Sequence, residues 1–174
     1  RKGLTISDGP FCSMQRDLTV YTKGRDRVEA IRNIHHIPVH IFGVKHLSRG
    51  WGQYLAGKKN IYLHPSVSFQ TSLKVMRQSR VLLNGAPQFL YGIHDRVFNG
   101  IGSGALVITD DNAIIRNHFT DEEDLLLYQL NNYEGIEDKV APYIDNHKKR
   151  HEIVVSGREK VLAEHTWDHR AKVF

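Results

Sequence analysis

The sequence predicts an α/β domain: a doubly wound, mostly parallel sheet of about six strands with helices on both faces. Three observations carry that expectation. Short β-branched or aliphatic runs alternate with segments of helical periodicity along most of the 174 residues. Two of the runs, Val81-Leu82-Leu83 and Leu106-Val107-Ile108, are apolar without interruption, as strands covered on both faces are. Glycine, proline or asparagine punctuates the ends of the runs, at Gly24, Gly43, Pro65 and Asn84.

Taken in order, residues 1–16, with Gly9-Pro10 inside them, are expected to be an irregular N-terminal segment or linker, and residues 17–174 to form the domain. Residues 18–22 are short and β-branched, a first strand closed by Lys23-Gly24. Residues 26–34 follow as a helix with Val28, Ile31 and Ile34 on one face. Strands are expected at 38–43 and 60–64. Ser68 is a suitable cap for a helix over 69–79, whose Leu73, Val75 and Met76 would face the core. Next come a strand at 80–84, a helix from about 94 to 103, and strands at 105–109 and 125–128. The remainder is expected to be helical, over 136–146, 148–164 and a closing stretch from 166 to 174.

Composition narrows the function classes. Lys plus Arg exceed Asp plus Glu by 24 − 19 = 5, and the isoelectric point is about 9.4, which favours an anionic partner. The basic residues are scattered, apart from His147-Lys148-Lys149-Arg150-His151, so a phosphorylated small molecule is favoured over nucleic acid. No apolar run approaches the roughly 18 residues that a bilayer span needs. One cysteine, Cys12, allows no internal disulfide and, with no secretory leader in view, points to a reducing, cytoplasmic address. The first residue is Arg1, and the chain is expected to be a piece of a longer protein.

The stretch Gly92 to Asp111 holds the most informative chemistry. Gly100, Gly102 and Gly104 stand after a helix and before a strand, the wrong order for cradling a phosphate, which needs strand, glycines, then helix. Gly104 is read as the helix stop, and Gly100 and Gly102 as letting the helix lie close to the sheet. The front of the same helix differs. His94, Asp95 and Arg96 sit in its first turn, beyond the loop that leaves the strand at Asn84 and runs to Gly92. An arginine there opposes the helix dipole, and an anion beside it would account for its presence. His94 is suited to donate to a phosphate or to serve as acid or base.

His94-Asp95-Arg96-Val97-Phe98-Asn99, followed by Gly104-Ala105 and the strand ending in Thr109-Asp110, resembles the C-terminal half of GT-B glycosyltransferases, with bacterial group-1-like and spore-coat-like members nearest. The form in that family is roughly R-V-F-E-A-x-A-x-G-A, then a strand and T-D. The tail from Gly157 to Arg170 is similar to the same family's ending, G-x-x-x-V-L-x-x-H-T-[WY]-x-x-R. The likeness covers residues 18–174, more weakly in the first third. It implies a Rossmann-like nucleotide-sugar domain. A separate N-terminal domain would bind the acceptor across a cleft, and a sugar would pass to that acceptor from a nucleotide diphosphate. No cofactor beyond the donor and no metal is implied.

Residue by residue, the resemblance implies catalytic roles for His94 and Arg96. Gly24, Arg25 and Arg27 would lie where the loop after the first strand approaches the phosphates, and Ser68 where main-chain groups meet the base. Asn84, Tyr91, Gly92 and Asn99 complete the expected donor site. Asn99 occupies the position of the family glutamate that holds the ribose hydroxyls, and Tyr91 that of the partner acid in E-x7-E. A neutral amide binds a hydroxyl less strongly than a carboxylate does. Two alternatives therefore stay open: a non-catalytic interaction module that keeps the fold, and another enzyme of nucleotides or sugar phosphates.

Other clusters point to structure. His147/His151 and His165/His169 have the helical i,i+4 spacing of zinc ligands but lack the glutamate of H-E-x-x-H, and a solvated face is expected for both pairs. Asp121-Glu122-Glu123-Asp124 is expected to be a solvated loop, Trp167 to anchor the closing helix, and Trp51 to pack or to line a cleft.

Overall fold

The computed structural model describes residues 8–43, 51–89 and 91–172. Expectations that fall on residues 1–7, 44–50, 90 and 173–174 lie outside the described residues. Five strands are present among them. β1 (Val39–Phe42) pairs in parallel with β2 (Ile61–His64), Val39 opposite Ile61. β3 (Val81–Leu83), β4 (Leu106–Asp110) and β5 (Leu126–Tyr128) form a second parallel ladder in that order, with Val81 opposite Leu106 and Ile108 opposite Leu126.

Eight helices surround them: α1 (Asp8–Arg32), α2 (Trp51–Tyr54), α3 (Phe69–Gln78), α4 (Asp95–Ser103), α5 (Ala113–His118), α6 (Gly135–Ile144), α7 (His147–Glu164) and α8 (Trp167–Ala171). The strand period of two sorts β4 and β5 into two faces. Leu106, Ile108, Leu126 and Tyr128 pack with Ala30 and Ile34 of the α1 end and with Ile136, Val140 and Tyr143 of α6. Val107, Leu125 and Leu127 pack on the other side with Val97 and Ile101 of α4, Ile115 of α5 and Val161 of α7. Every residue of β4 is buried, so each large aliphatic contributes about 1.5–3 kcal/mol. The α/β class with parallel strands and helices on both faces is therefore present.

Residues 18–22 depart from the expectation. They are helical, inside α1, and so are residues 8–16, which were expected to be irregular. Pro10 lies in the first turn, where a missing N–H costs nothing. The threonines adapt by bonding back along the helix, Thr19 Oγ1 donating to Gln15 O at 2.8 Å and Thr22 Oγ1 to Thr19 O at 3.1 Å. The described residues consequently hold five strands rather than six, in two ladders rather than one sheet, and β3 is half-buried where a fully buried strand was expected. Leu73, Val75 and Met76 of α3 are likewise only half-buried.

Gly104 and Gly100 behave as expected, while Gly102 is not needed for the close approach to the sheet. Gly104 takes φ 88° and ψ 23°. Its N–H donates to Ile101 O while that of Ala105 donates to Gly100 O, a Schellman close. A Cβ on Gly100 would come within 2.5 Å of Leu82 Cδ2 and 2.9 Å of Val107 Cγ2, so α4 crosses the sheet where no other residue fits. A Cβ on Gly102 would meet only Val161, at 3.9 Å, an ordinary contact.

Three surface expectations are corrected. Asp124 is buried. It accepts from Thr120 N at 2.8 Å and Ser156 Oγ at 2.8 Å, and pairs with Lys160 Nζ, fastening α7 to the loop before β5. His165 is enclosed by Phe98, Phe119 and His118 rather than solvated, and burial pushes its pKa down. Trp167 anchors nothing among the described residues; it is 80% exposed. Trp51 packs beside Val28, Ile31 and Leu55.

Candidate functional site

The carboxyl ends of β3 and β4 and the front of α4 bring four of the expected residues together. Asn84 follows β3 directly and is buried. Its N–H donates to Ile108 O at 2.9 Å, which extends the ladder by one residue. Its side chain is then fixed twice, Nδ2 donating to Thr109 Oγ1 at 3.0 Å and Oδ1 accepting from Arg96 Nη1 at 2.8 Å. Arg27 reaches the same place from α1, its Nε donating to Gly85 O at 3.0 Å.

His94 is the N-cap of α4, with extended φ −68° and ψ 140°, and its Nδ1 accepts from Arg96 N at 3.1 Å. That bond needs a lone pair on Nδ1. The same atom lies 2.5 Å from Asp95 Oδ1, a contact that is favourable only if Nδ1 carries a proton. Burial, then the Arg96 charge, lowers the His94 pKa, and Arg27 lowers it further; Asp95 and Asp110 oppose them. The lowering forces prevail, so the ring is neutral near pH 7. The neutral ring has two tautomers: with the proton on Nδ1 it faces Asp95 Oδ1, and with the proton on Nε2 its Nδ1 lone pair caps the helix.

Arg96 is half-buried, and burial and the neighbouring Arg27 charge both press against its cationic form. A guanidinium stays charged nevertheless. Among the described residues no carboxylate lies within ion-pair distance of it; its recorded side-chain partner is the neutral Asn84. Arg27, Arg96 and the α4 N-terminus thus lie near one another at the strand ends, with Asp95 and Asp110 close enough to act on the same groups but paired with neither guanidinium, an arrangement in which the cations can attract an anion.

The other expected residues lie apart from this group. Gly24 and Arg25 are exposed on α1. Ser68 caps α3 by accepting from Thr71 N at 3.2 Å. Tyr91 is 87% exposed. The Gly92 carbonyl accepts from Asn112 Nδ2 at 3.2 Å. Asn99 is half-buried, one helical turn beyond Arg96.

Sequence reasoning missed the shell beneath. Asp110, buried at the end of β4, accepts from Ala86 N at 2.8 Å and so shapes the loop after β3. Tyr128 Oη donates to Asn84 O at 3.3 Å, and burial followed by the Asp110 charge pushes its pKa up. Asn112 caps the unexpected helix α5, accepting from Ile114 N and Ile115 N, while its amide holds Gly92. The signal was present as Thr109-Asp110-Asp111-Asn112, a polar run in which the otherwise apolar strand β4 ends.

This geometry stands beside three solved structures with the same fold. Sucrose-phosphate synthase from Thermosynechococcus elongatus superposes with a TM-score of 0.69 at 16% identity, over 87% of this chain and 40% of that one. The glycosyltransferase-like family matches residues 19–174. The chain belongs to that family. Anabaena HepE, solved in complex with UDP-glucose, gives a TM-score of 0.62 at 9% identity, over 90% of this chain and 49% of that one. The C-terminal domain of LpcC, a group 1 glycosyl transferase from Francisella tularensis, gives 0.54 at 17% identity, over 66% and 58%. No curated protein matches the chain. At these identities the likeness is one of fold, that of a GT-B glycosyltransferase domain, and the chain spans 40% to 58% of those structures.

Proposed function

We propose that the chain is the donor-binding half of a glycosyltransferase, holding a nucleotide-diphosphate sugar at the carboxyl ends of β3 and β4. The observation that carries this reading is the half-buried Arg96, beside Arg27 and His94, whose guanidinium bonds the neutral Asn84 and pairs with no carboxylate among the described residues. The diphosphate would lie against the two guanidinium groups and the α4 N-terminus. In transfer, the bond from the anomeric carbon to the diphosphate oxygen breaks, a bond to the acceptor oxygen forms, and the acceptor gives up its proton. Charge grows on the departing diphosphate, where fixed cations stabilise it most. His94 Nε2 would donate a hydrogen bond to the same oxygens.

Asn99 would meet the ribose as a neutral amide and Tyr91 would supply no acid. These two positions also support the second reading, an interaction module that has kept the fold without the donor. The acceptor would sit on another domain, so this chain alone is expected to bind donor and transfer little. Isothermal titration with a nucleoside diphosphate separates the readings. Binding by the unaltered chain, weakened about 5- to 150-fold in Arg96→Ala, is expected from the loss of a charged hydrogen bond worth about 1–3 kcal/mol. Equal affinity in the variant would remove Arg96 from the site, and no binding by either would favour the interaction module.

A further inference from the structure

Asn84 is buried at the end of β3, and each of its four polar atoms already has a partner inside the protein. Its N–H donates to Ile108 O at 2.9 Å, and its carbonyl accepts from Tyr128 Oη at 3.3 Å. Its side chain accepts from Arg96 Nη1 at 2.8 Å and donates to Thr109 Oγ1 at 3.0 Å. A guanidinium only donates, so the amide oxygen has to face Arg96 and the amide nitrogen has to face away. Thr109, also buried, donates onward to Asp110 Oδ1 at 3.4 Å. The hydrogen bonds run in one direction, from Arg96 to Asn84 to Thr109, and end on a buried carboxylate. Bonds aligned in this way polarise and strengthen one another.

We propose that Asn84 is a positioning residue for the candidate anion site: its neutral amide fixes the Arg96 guanidinium and leaves that group's charge for a bound phosphate. This role rests on the donor-binding reading of the same site and deepens it. With its own polar atoms occupied, Asn84 acts through Arg96 and makes no contact with a ligand. Two features separate holding the cation from neutralising it. Among the described residues, the bond to Asn84 is the one side-chain hydrogen bond that Arg96 makes, which leaves its remaining N–H donors for an incoming anion. The carboxylate that ends the chain of bonds stands behind Thr109, and its Oδ1 also accepts from Ala86 N at 2.8 Å, so it does not compete for the cation.

Shape alone does not call for asparagine here. An aspartate has nearly the same outline and would accept from Arg96 as well as the amide does. It would also form an ion pair in a sheltered place, where opposite charges attract more strongly than in water. An arginine balanced in that way attracts phosphate weakly. Neutrality at residue 84 is what keeps the cation available, and the direction of the bonds through Thr109 is what keeps the amide oxygen turned toward it.

Calorimetric titration with inorganic pyrophosphate over a series of salt concentrations tests this, on the unaltered 174-residue chain and on variants whose melting is followed in parallel. Asn84→Ala leaves the cation charged but loosely held, and should weaken binding by about 2- to 10-fold with the salt dependence retained. Asn84→Asp keeps the bond to Arg96 yet cancels its charge, and should bind more weakly still, at least about tenfold below the unaltered chain and with a shallower salt dependence. A merely structural role predicts the reverse order, since aspartate is the closer replacement. Asn84→Asp binding as tightly as Asn84→Ala, or more tightly, would overturn the proposal. If the aspartate variant does not fold, Thr109→Val decides: it cuts the chain of bonds one link away from Arg96 and should weaken binding with the salt dependence retained, whereas unchanged affinity would overturn the proposal. Pyrophosphate binding by the unaltered chain with the variants in the wrong order removes only the role of Asn84. No binding by the unaltered chain removes the donor-binding reading along with it.

Discussion

At the scale of single residues, the site is held by polar contacts that each do two tasks. Asn84 couples the end of β3 to Arg96 through Oδ1 and to Thr109 through Nδ2. His94 stands at the N-cap of α4, and its titration gives a prediction with a definite sign. Its folded pKa lies below the ordinary 6.5, so the unfolded chain takes up this proton first as the pH falls. The contribution of His94 to stability is therefore complete above about pH 6.5 and is lost progressively below it. Denaturant midpoints at pH 7.5 and pH 5.5 should differ more in the unaltered protein than in His94→Asn, which keeps a capping side chain without the ionisation. An identical pH dependence in the two proteins would show that the ring does not titrate below its ordinary range. The triplet His94-Asp95-Arg96 was legible in the sequence because a cation in a first helical turn needs a reason. The supporting Asp110, Tyr128 and Asn112 were not, because partners brought together by a sheet are distant along the chain.

At the scale of elements, α4 shows how backbone shape sets the site. Its close crossing over Leu82 and Val107 fixes where its N-terminus points, and Gly100 is what permits that crossing. Gly100→Ala should destabilise the fold by about 1–3 kcal/mol through overpacking. Gly102→Ala meets no such obstacle and should be neutral or mildly stabilising, alanine being the better helix former by about 1 kcal/mol. Chemical denaturation of the two variants checks both, and equal effects would contradict the close-packing account. From β1 onward most strands and helices fall within a residue or two of their sequence expectations, because buried strands and capped helices carry local signals. The short helix α5 was missed, since six residues with one buried isoleucine show too little periodicity. The acidic run before β5 misled for the opposite reason. Its charges look solvated in sequence, yet Asp124 meets Lys160 and Ser156 from a helix more than thirty positions away. Residues 18–22 are β-formers with no partner strand in this packing, and there local preference and observed structure part.

At the scale of the whole molecule, a net charge of +5 is spread over the surface, but two of its arginines meet where strands end and a helix begins. This chain matches 40% to 58% of the three solved relatives, and a second half facing it across a cleft belongs to the proposed reading. The central claim is that the group of Arg27, His94 and Arg96 recognises phosphate charge before a base or sugar is recognised. Parallel calorimetric titrations of the unaltered chain with a nucleoside diphosphate and with the corresponding nucleoside test that most directly. The account predicts that the diphosphate binds at least about tenfold more tightly, by more than about 1.4 kcal/mol, and that added salt erodes the difference. Equal affinity for both ligands, or a preference unaffected by salt, would contradict it.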